Sequence, residues 1–191
     1  MQSAIIMADN QPQELRYLAL FRGINVGGKH LVPMKALCQY MRDMGCSEVV
    51  SYIQSGNLLF NHPSQSQAEL EQALAALVEQ HFGFLPMVLV LSQEQFNQVV
   101  ANNPFTALVR QPKDLQVFFF AQHPPAPALD KLDQLKAASE DFALIERAFY
   151  LHAPDGIGRS KLVTKLEKYL GLAGTARNFN TIIQLEKLLN C

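Results

Sequence analysis

The sequence predicts an α+β fold of two similar units in tandem, and three observations carry that prediction. Apolar runs of strand length alternate with stretches of helical periodicity. In the first half these follow the order β-α-β-β-α-β. Most of that order recurs in the second half. The chain has 191 residues, 49% hydrophobic and 17% charged, so a sizeable core can be buried in one domain or in two small packed subdomains.

Tyr17-Leu18-Ala19-Leu20-Phe21 marks the first strand, over 15–21. After a glycine-rich loop, Pro33 fits a first helical position, and Met34, Leu37, Cys38 and Met41 follow at helical spacing until Gly45. Strands over 49–53 and 58–60 flank Gln54-Ser55-Gly56-Asn57, a tight hairpin turn. Ser66 and Glu69 are spaced as a capping box, and Leu70, Leu74, Leu77 and Val78 mark one face of a long helix that Gly83 stops. A strand over 87–91 completes the split βαβ, ferredoxin-like order.

The second half begins after a capped helix at Ser92 and Gln95 and the Asn102-Asn103-Pro104 break. A strand over 115–121 carries three phenylalanines and reads as buried on both faces. A helix over 129–138, a hairpin of 142–146 with 148–152, and helices over 162–170 and 179–189 follow. The order is β-α-β-β-α with a C-terminal helix where the final strand belongs, so the second ferredoxin-like unit reads as modified. The expected division is a loose tail over 1–14, a first subdomain over 15–91, a linker with a short helix over 92–111, and a second subdomain over 112–191.

Composition excludes several function classes. A net charge of −1 argues against a protein coated with nucleic acid. Three cysteines, 38, 46 and 191, form no Cys-x-x-Cys pair and have no histidine at zinc spacing, which predicts free thiols in a reducing cytoplasm and no metal site. Ala4-Ile5-Ile6-Met7-Ala8 is too short for a signal peptide, and no run approaches the roughly 20 apolar residues of a membrane span. No motif assigns a cofactor, a catalytic set or an oligomeric state.

Four polar stretches stand at strand ends or helix starts. Arg22-Gly23-Ile24-Asn25-Val26-Gly27-Gly28-Lys29 resembles a phosphate-binding loop, but His30 replaces the magnesium-holding hydroxyl and the next helix starts too late to point at phosphate. The turn Gln54-Ser55-Gly56-Asn57 offers amides that both donate and accept. In His152-Ala153-Pro154-Asp155-Gly156-Ile157-Gly158-Arg159-Ser160-Lys161, a helix N-cap at Ser160 lies between two cations, which suits an anion. Arg177-Asn178-Phe179-Asn180-Thr181 puts a cation and amides beside an aromatic wall.

These stretches together resemble the uncharacterised bacterial family known as domain of unknown function 1697. Its pattern runs Arg-Gly-Ile-Asn-Val-Gly-Gly-Lys-Asn, Tyr-Ile-Gln-Ser-Gly-Asn, Asn-Pro-Phe, Leu-Tyr-Leu-His-x-Pro-Asp-Gly-x-Gly-Arg-Ser-Lys-Leu and Thr-Arg-Asn-Trp-Asn-Thr. This chain keeps those motifs in order and departs at His30, Phe149, Ala176 and Phe179. The resemblance implies two ferredoxin-like subdomains and imports no activity.

The expected function is binding of a small phosphate-bearing ligand or nucleotide in a cleft between the subdomains. Arg22, Lys29, Arg159, Lys161 and Arg177 would neutralise its charge. Asn25, Gln54, Asn57, Asn178 and Asn180 would orient it, with Gly27, Gly28, Ser55 and Ser160 completing the loops. The alternatives are an enzyme acting on a phosphorylated metabolite, tested at Asp155 or His152, an RNA-binding module that stacks bases on aromatics, and a protein-interaction module marked by an apolar surface patch.

Overall fold

The computed structural model describes residues 14–63, 66–107 and 111–191. The expected tail over 1–14 lies outside them except for Glu14, whose carboxylate accepts from the Ser47 hydroxyl. The first half runs β1 (Leu15–Phe21), α1 (Met34–Asp43), β2 (Ser47–Tyr52), β3 (Asn57–His62), α2 (Gln67–Phe82), β4 (Val88–Ser92) and α3 (Gln93–Ala101). The second runs β5 (Leu115–Phe119), α4 (Leu129–Asp133), β6 (Asp141–Ile145), β7 (Ala148–His152), α5 (Leu166–Leu170), β8 (Thr175–Asn178) and α6 (Phe179–Leu189). The fold is α+β, with two four-stranded sheets ordered β2-β3-β1-β4 and β6-β7-β5-β8. Every pairing is antiparallel.

The sequence expectation omitted β8. Thr-Ala-Arg-Asn carries no apolar run, yet it pairs with β5 in register Val117↔Arg177 and Phe119↔Thr175. With β8 present, each half has the same seven-element order, ending in a helix. The second unit is therefore not short of a strand, and its C-terminal helix is the counterpart of α3.

Period-two alternation sorts the strand side chains into separate layers. On β1, Tyr17, Ala19 and Phe21 face α1 and α2, while Leu18 and Leu20 face inward. On β5, Leu115, Val117 and Phe119 face the same inner layer, and Phe118 points to the outer core beside α4 and α5. The inner layer joins both sheets to α3 and α6 through Phe96, Val99, Ile182, Leu185 and Leu189. The segment expected as a linker thus contributes Phe96, Val99 and Phe105 to buried core; residues 108–110 of it lie outside the described chain. The Tyr150 hydroxyl donates to the Val99 carbonyl at 2.7 Å, and burial pushes the phenol's pKa up.

Local signals act as the spacing predicts at several ends. Ser92 and Gln95 form a reciprocal capping box. Gly83 closes α2 in the left-handed conformation. Pro33 is the N-cap of α1 rather than its first helical residue. The helix expected over 162–170 is broken: a 3₁₀ turn at Val163–Lys165 precedes α5. The helix expected over 129–138 spans one turn and a half.

Two measurements follow from this layering. Phe119 is fully buried and stacks on Phe96 across the shared layer, centroids 6.1 Å apart. Phe119→Ala is expected to cost about 3–5 kcal/mol, and urea unfolding followed by hydrogen exchange should show both halves lost in one transition. Burial, with Glu14 nearby, raises the Cys46 thiol pKa to about 11. The folded chain keeps that proton where the unfolded chain releases it, so the contribution is intact below the ordinary thiol value of 9.0 and is lost as pH rises through about 11. Urea midpoints of Cys46→Ala should fall less than wild type across that window.

Candidate functional site

Arg177 on β8 reaches across to the first half. Its side chain is buried, 9% exposed. Nε donates to Asn57 Oδ1. Nη1 donates to Thr175 Oγ1 at 2.9 Å and the Ala176 carbonyl at 2.8 Å. Nη2 donates to the Phe21 carbonyl at 2.9 Å and to the Ser55 and Gly56 carbonyls at 3.2 Å. All five guanidinium protons are therefore used. None goes to a carboxylate, and desolvation lowers the pKa to about 10, which leaves the group charged at neutral pH.

Around this cation the β2–β3 turn is fully determined. Asn57, 0% exposed, donates to the Tyr52 carbonyl and to Ser55 Oγ while accepting from Arg177. Gly56 adopts φ +74°, and a Cβ there would sit 2.8 Å from Phe21 Cβ. Glycine is required on both counts. Ile53, just before, holds φ 51° although it is β-branched and half exposed, a conformation that costs roughly 1–3 kcal/mol.

The glycine loop folds on itself. Asn25 Nδ2 donates to the Val32 and Gln54 carbonyls, both at 2.9 Å, and its Oδ1 accepts from the Val32 N–H at 2.7 Å. Lys29 N–H returns to the Val26 carbonyl, so Gly27 and Gly28 form the tip of a small hairpin with Lys29 exposed beside them. Arg22 leaves this loop to meet Glu167 of α5, Nη1 to Oε1 2.6 Å and Nη2 to Oε2 3.2 Å. Glu167 Oε1 also accepts from the Gly174 N–H.

These segments enclose a cleft of about 530 Å³ between the halves, lined by Phe21, Arg22, Gly23, Val26, Ile53, Ser55, Gln116, Gly174, Thr175, Ala176, Arg177, Asn178 and Thr181. Asn178 caps α6 by accepting from the Thr181 N–H at 2.9 Å. The Thr181 side chain, 7% exposed, lines the cleft, and its hydroxyl has no hydrogen-bond partner among the described residues.

Of the four stretches expected to converge, three contribute to this lining. Arg22, Ser55, Arg177 and Asn178 stand in it. Asn25 and Asn57 are consumed in holding the loops, and Gln54, Gly27, Gly28, Lys29 and Asn180 are exposed outside the lining. The third stretch is elsewhere: Arg159 and Lys161 line a separate depression with Gln134 and Lys136. Ser160 is buried and accepts from the Val163 N–H at 3.3 Å, and Asp155 accepts from the Ser139 hydroxyl at 2.6 Å. Thr181, Gln116, Glu167 and Gly174 also belong to the site, beyond the residues the sequence predicts. Thr181 closed a motif already singled out, whereas Glu167 reads in sequence as an ordinary helix carboxylate.

Removing the central guanidinium strands a side-chain amide and several backbone carbonyls without donors, each costing about 1–3 kcal/mol. Arg177→Met is therefore expected to lower stability by about 3 kcal/mol or more, measured by urea denaturation. Arg177→Lys should recover less than half of that loss, because an ammonium cannot reproduce the fork.

A search of curated proteins finds no match to this chain. Among solved structures, the conserved bacterial protein SP0830 from Streptococcus pneumoniae is similar, with 26% identity, a TM-score of 0.73, and coverage of 93% of this chain and 99% of that one. Residues 15–150 match the family described as a protein of unknown function, DUF1697. The span takes in the glycine loop, the hairpin turn and the Asn-Pro-Phe motif, and the chain belongs to that family.

Proposed function

We propose that the protein binds a small anionic, phosphate-bearing ligand, of nucleotide size, in the cleft between two ferredoxin-like units spanning 15–91 and 112–191. The unit assignment is supported by the β2-β3-β1-β4 and β6-β7-β5-β8 strand orders. The binding reading rests on one observation: the cleft floor holds the Arg177 charge with no carboxylate against it, beside the N-terminus of α6. A buried cation without a counter-ion favours an anion in the adjacent space. Helix N–H groups and the unpaired Thr181 hydroxyl supply donors there. Arg177 itself contributes charge and position, since its protons are committed.

The lips of the cleft add shape. Val26 is 62% exposed and Ile53 50%, two apolar side chains flanking a polar floor. A planar organic group between them would cover both while its phosphate meets α6. The lining carries no carboxylate, imidazole or thiol to move a proton, which favours binding over turnover. An RNA platform of the sheet-face kind lacks its surface, because helices and the shared core cover both faces of each sheet. Unbridged Cys38 and Cys46 suit a reducing cytoplasm.

Thermal-shift and calorimetric titration with nucleoside phosphates and sugar phosphates tests this reading. A saturable rise in melting temperature is expected. Thr181→Val should weaken the hit about fivefold or more, while Arg159→Ala leaves it unchanged. Glu167→Gln should tighten it, because Arg22 is then free to turn to the ligand, at a stability cost of only about 0.2–1 kcal/mol. A panel without any saturable hit, or a hit indifferent to Thr181→Val and Glu167→Gln, would overturn the assignment.

A further inference from the structure

The two sheets end in four edge strands, β2, β4, β6 and β8. An edge presents a row of backbone N–H and C=O groups with which another strand can pair. Three of these edges are closed. β2 is irregular between Ser47 and Val50, and its Val49 carbonyl accepts from Arg42 Nη2 at 2.9 Å. On β4 the Glu71 carboxylate accepts from the Val90 N–H at 2.9 Å. β8 lies against the first half, and Arg177 takes its Ala176 carbonyl at 2.8 Å.

β6 differs. It pairs with β7 without interruption, from Ile145↔Ala148 beside the two-residue turn to Asp141↔His152. In such a hairpin the residues next to the turn exchange hydrogen bonds, and every second residue then turns its backbone groups away from the partner strand. On β6 those residues are Phe142 and Leu144. The Phe142 N–H meets the carboxylate of its own neighbour Asp141 at 3.0 Å. The Leu144 N–H and C=O and the Phe142 C=O have no partner among the described residues. The side chains of Phe142, Ala143, Leu144 and Ile145 are each half-buried, so the edge is apolar as well as open.

We infer that β6 is a dimerisation edge, on which β6 of a second copy of this chain pairs antiparallel about a two-fold axis at Leu144, joining two four-stranded sheets into one of eight. The edges select that occupant. With the other three closed, the chain meets itself β6 to β6, and such an isologous contact ends at two copies. Charge fixes the register. Centred on Leu144, the pairing sets Asp141 opposite Arg147 of the second copy. Lys136 stands 2.9 Å from Asp133 and 3.7 Å from Asp141, so that end of β6 is net negative and suits an arriving guanidinium. Glu146 of the second copy falls opposite Phe142, over whose ring Lys136 Nζ lies at 5.9 Å. Centred on Ala143 instead, the pairing would set Glu140 opposite Glu146, a like-charge pair. A strand pair of this length buries less than the roughly 1,200 Å² of a stable interface, so the dissociation constant is on the order of 0.1 mM. β6 takes no part in lining the cleft, and pairing leaves the cleft unobstructed.

Sedimentation equilibrium of the full chain across about 10 μM to about 1 mM brackets that constant. The mean mass is expected to rise from one chain towards two and no further. A sample mixed from labelled and unlabelled chains should show a nuclear Overhauser contact between copies from Ala143 Hα to Ile145 Hα, the close pair of this register. Leu144→Pro removes the outward N–H and no bond to β7, and should weaken association about tenfold or more. Asp141→Arg, which sets two arginines opposite each other, should weaken it about threefold, while Thr181→Val leaves it unchanged. A single chain at every concentration, assembly beyond two copies, association that survives Leu144→Pro, or contacts between copies outside β6 or in another register would overturn the inference. The contact between wild-type copies decides the matter even if Leu144→Pro does not fold.

Discussion

The guanidinium of Arg177 is the constraint on which the rest of this molecule turns. It originates in the last strand of the second half and is satisfied by the end of β1 and the β2–β3 turn of the first half. Taking a charge out of water without an opposite charge beside it is unfavourable. Here five protons meet backbone carbonyls, the Asn57 amide oxygen and the Thr175 hydroxyl, and hydrogen bonds from an ionised donor are about twice as strong as neutral ones. The arrangement tolerates no slack: Gly56 must remain glycine, Asn57 must keep its amide, and Ile53 must hold a left-handed backbone. Together with the apolar inner layer, the Arg22–Glu167 pair and the Tyr150–Val99 hydrogen bond, it fixes the two halves in one register.

That registration has a consequence for chemistry. A cleft formed between two units has the geometry of whichever relative placement the units adopt. With Arg177 locking β8 to β1 and the Arg22–Glu167 pair bridging the rim, the cleft is held from both its floor and its edge. The floor charge is preorganised, and preorganised charge does not need to reorient when a ligand arrives. Glu167 sets the balance at the rim, because it holds Arg22 while also fixing the Gly174 N–H.

Much of the fold was legible because it depends on local patterns. Val117, Phe118, Phe119 and Phe120 announced burial on both faces, and they divide between the inner and outer cores as strand alternation requires. Ser92 with Gln95 announced a capped helix. β8 was illegible because Thr-Ala-Arg-Asn has no apolar signature; its pairing depends on β5 and on the buried hydrogen bonds of Arg177, which are tertiary facts. The site was half legible. Arg22, Ser55, Arg177 and Asn178 were visible as polar groups at element ends, and they do meet. Arg159 and Lys161 carry the same local signature, and only three-dimensional placement separates them from the cleft. Asn25 and Asn57 look like ligand-orienting amides in sequence; in the fold they orient the chain itself.

The most direct measurement of the cleft's role is an anomalous-scattering map from crystals grown with selenate, a phosphate mimic that can be located without bias. A selenium peak is expected in the cleft, within hydrogen-bond reach of the Thr181 hydroxyl and the first N–H groups of α6. Peaks confined to Arg159 and Lys161 or to the protein exterior, with the cleft empty, would contradict it.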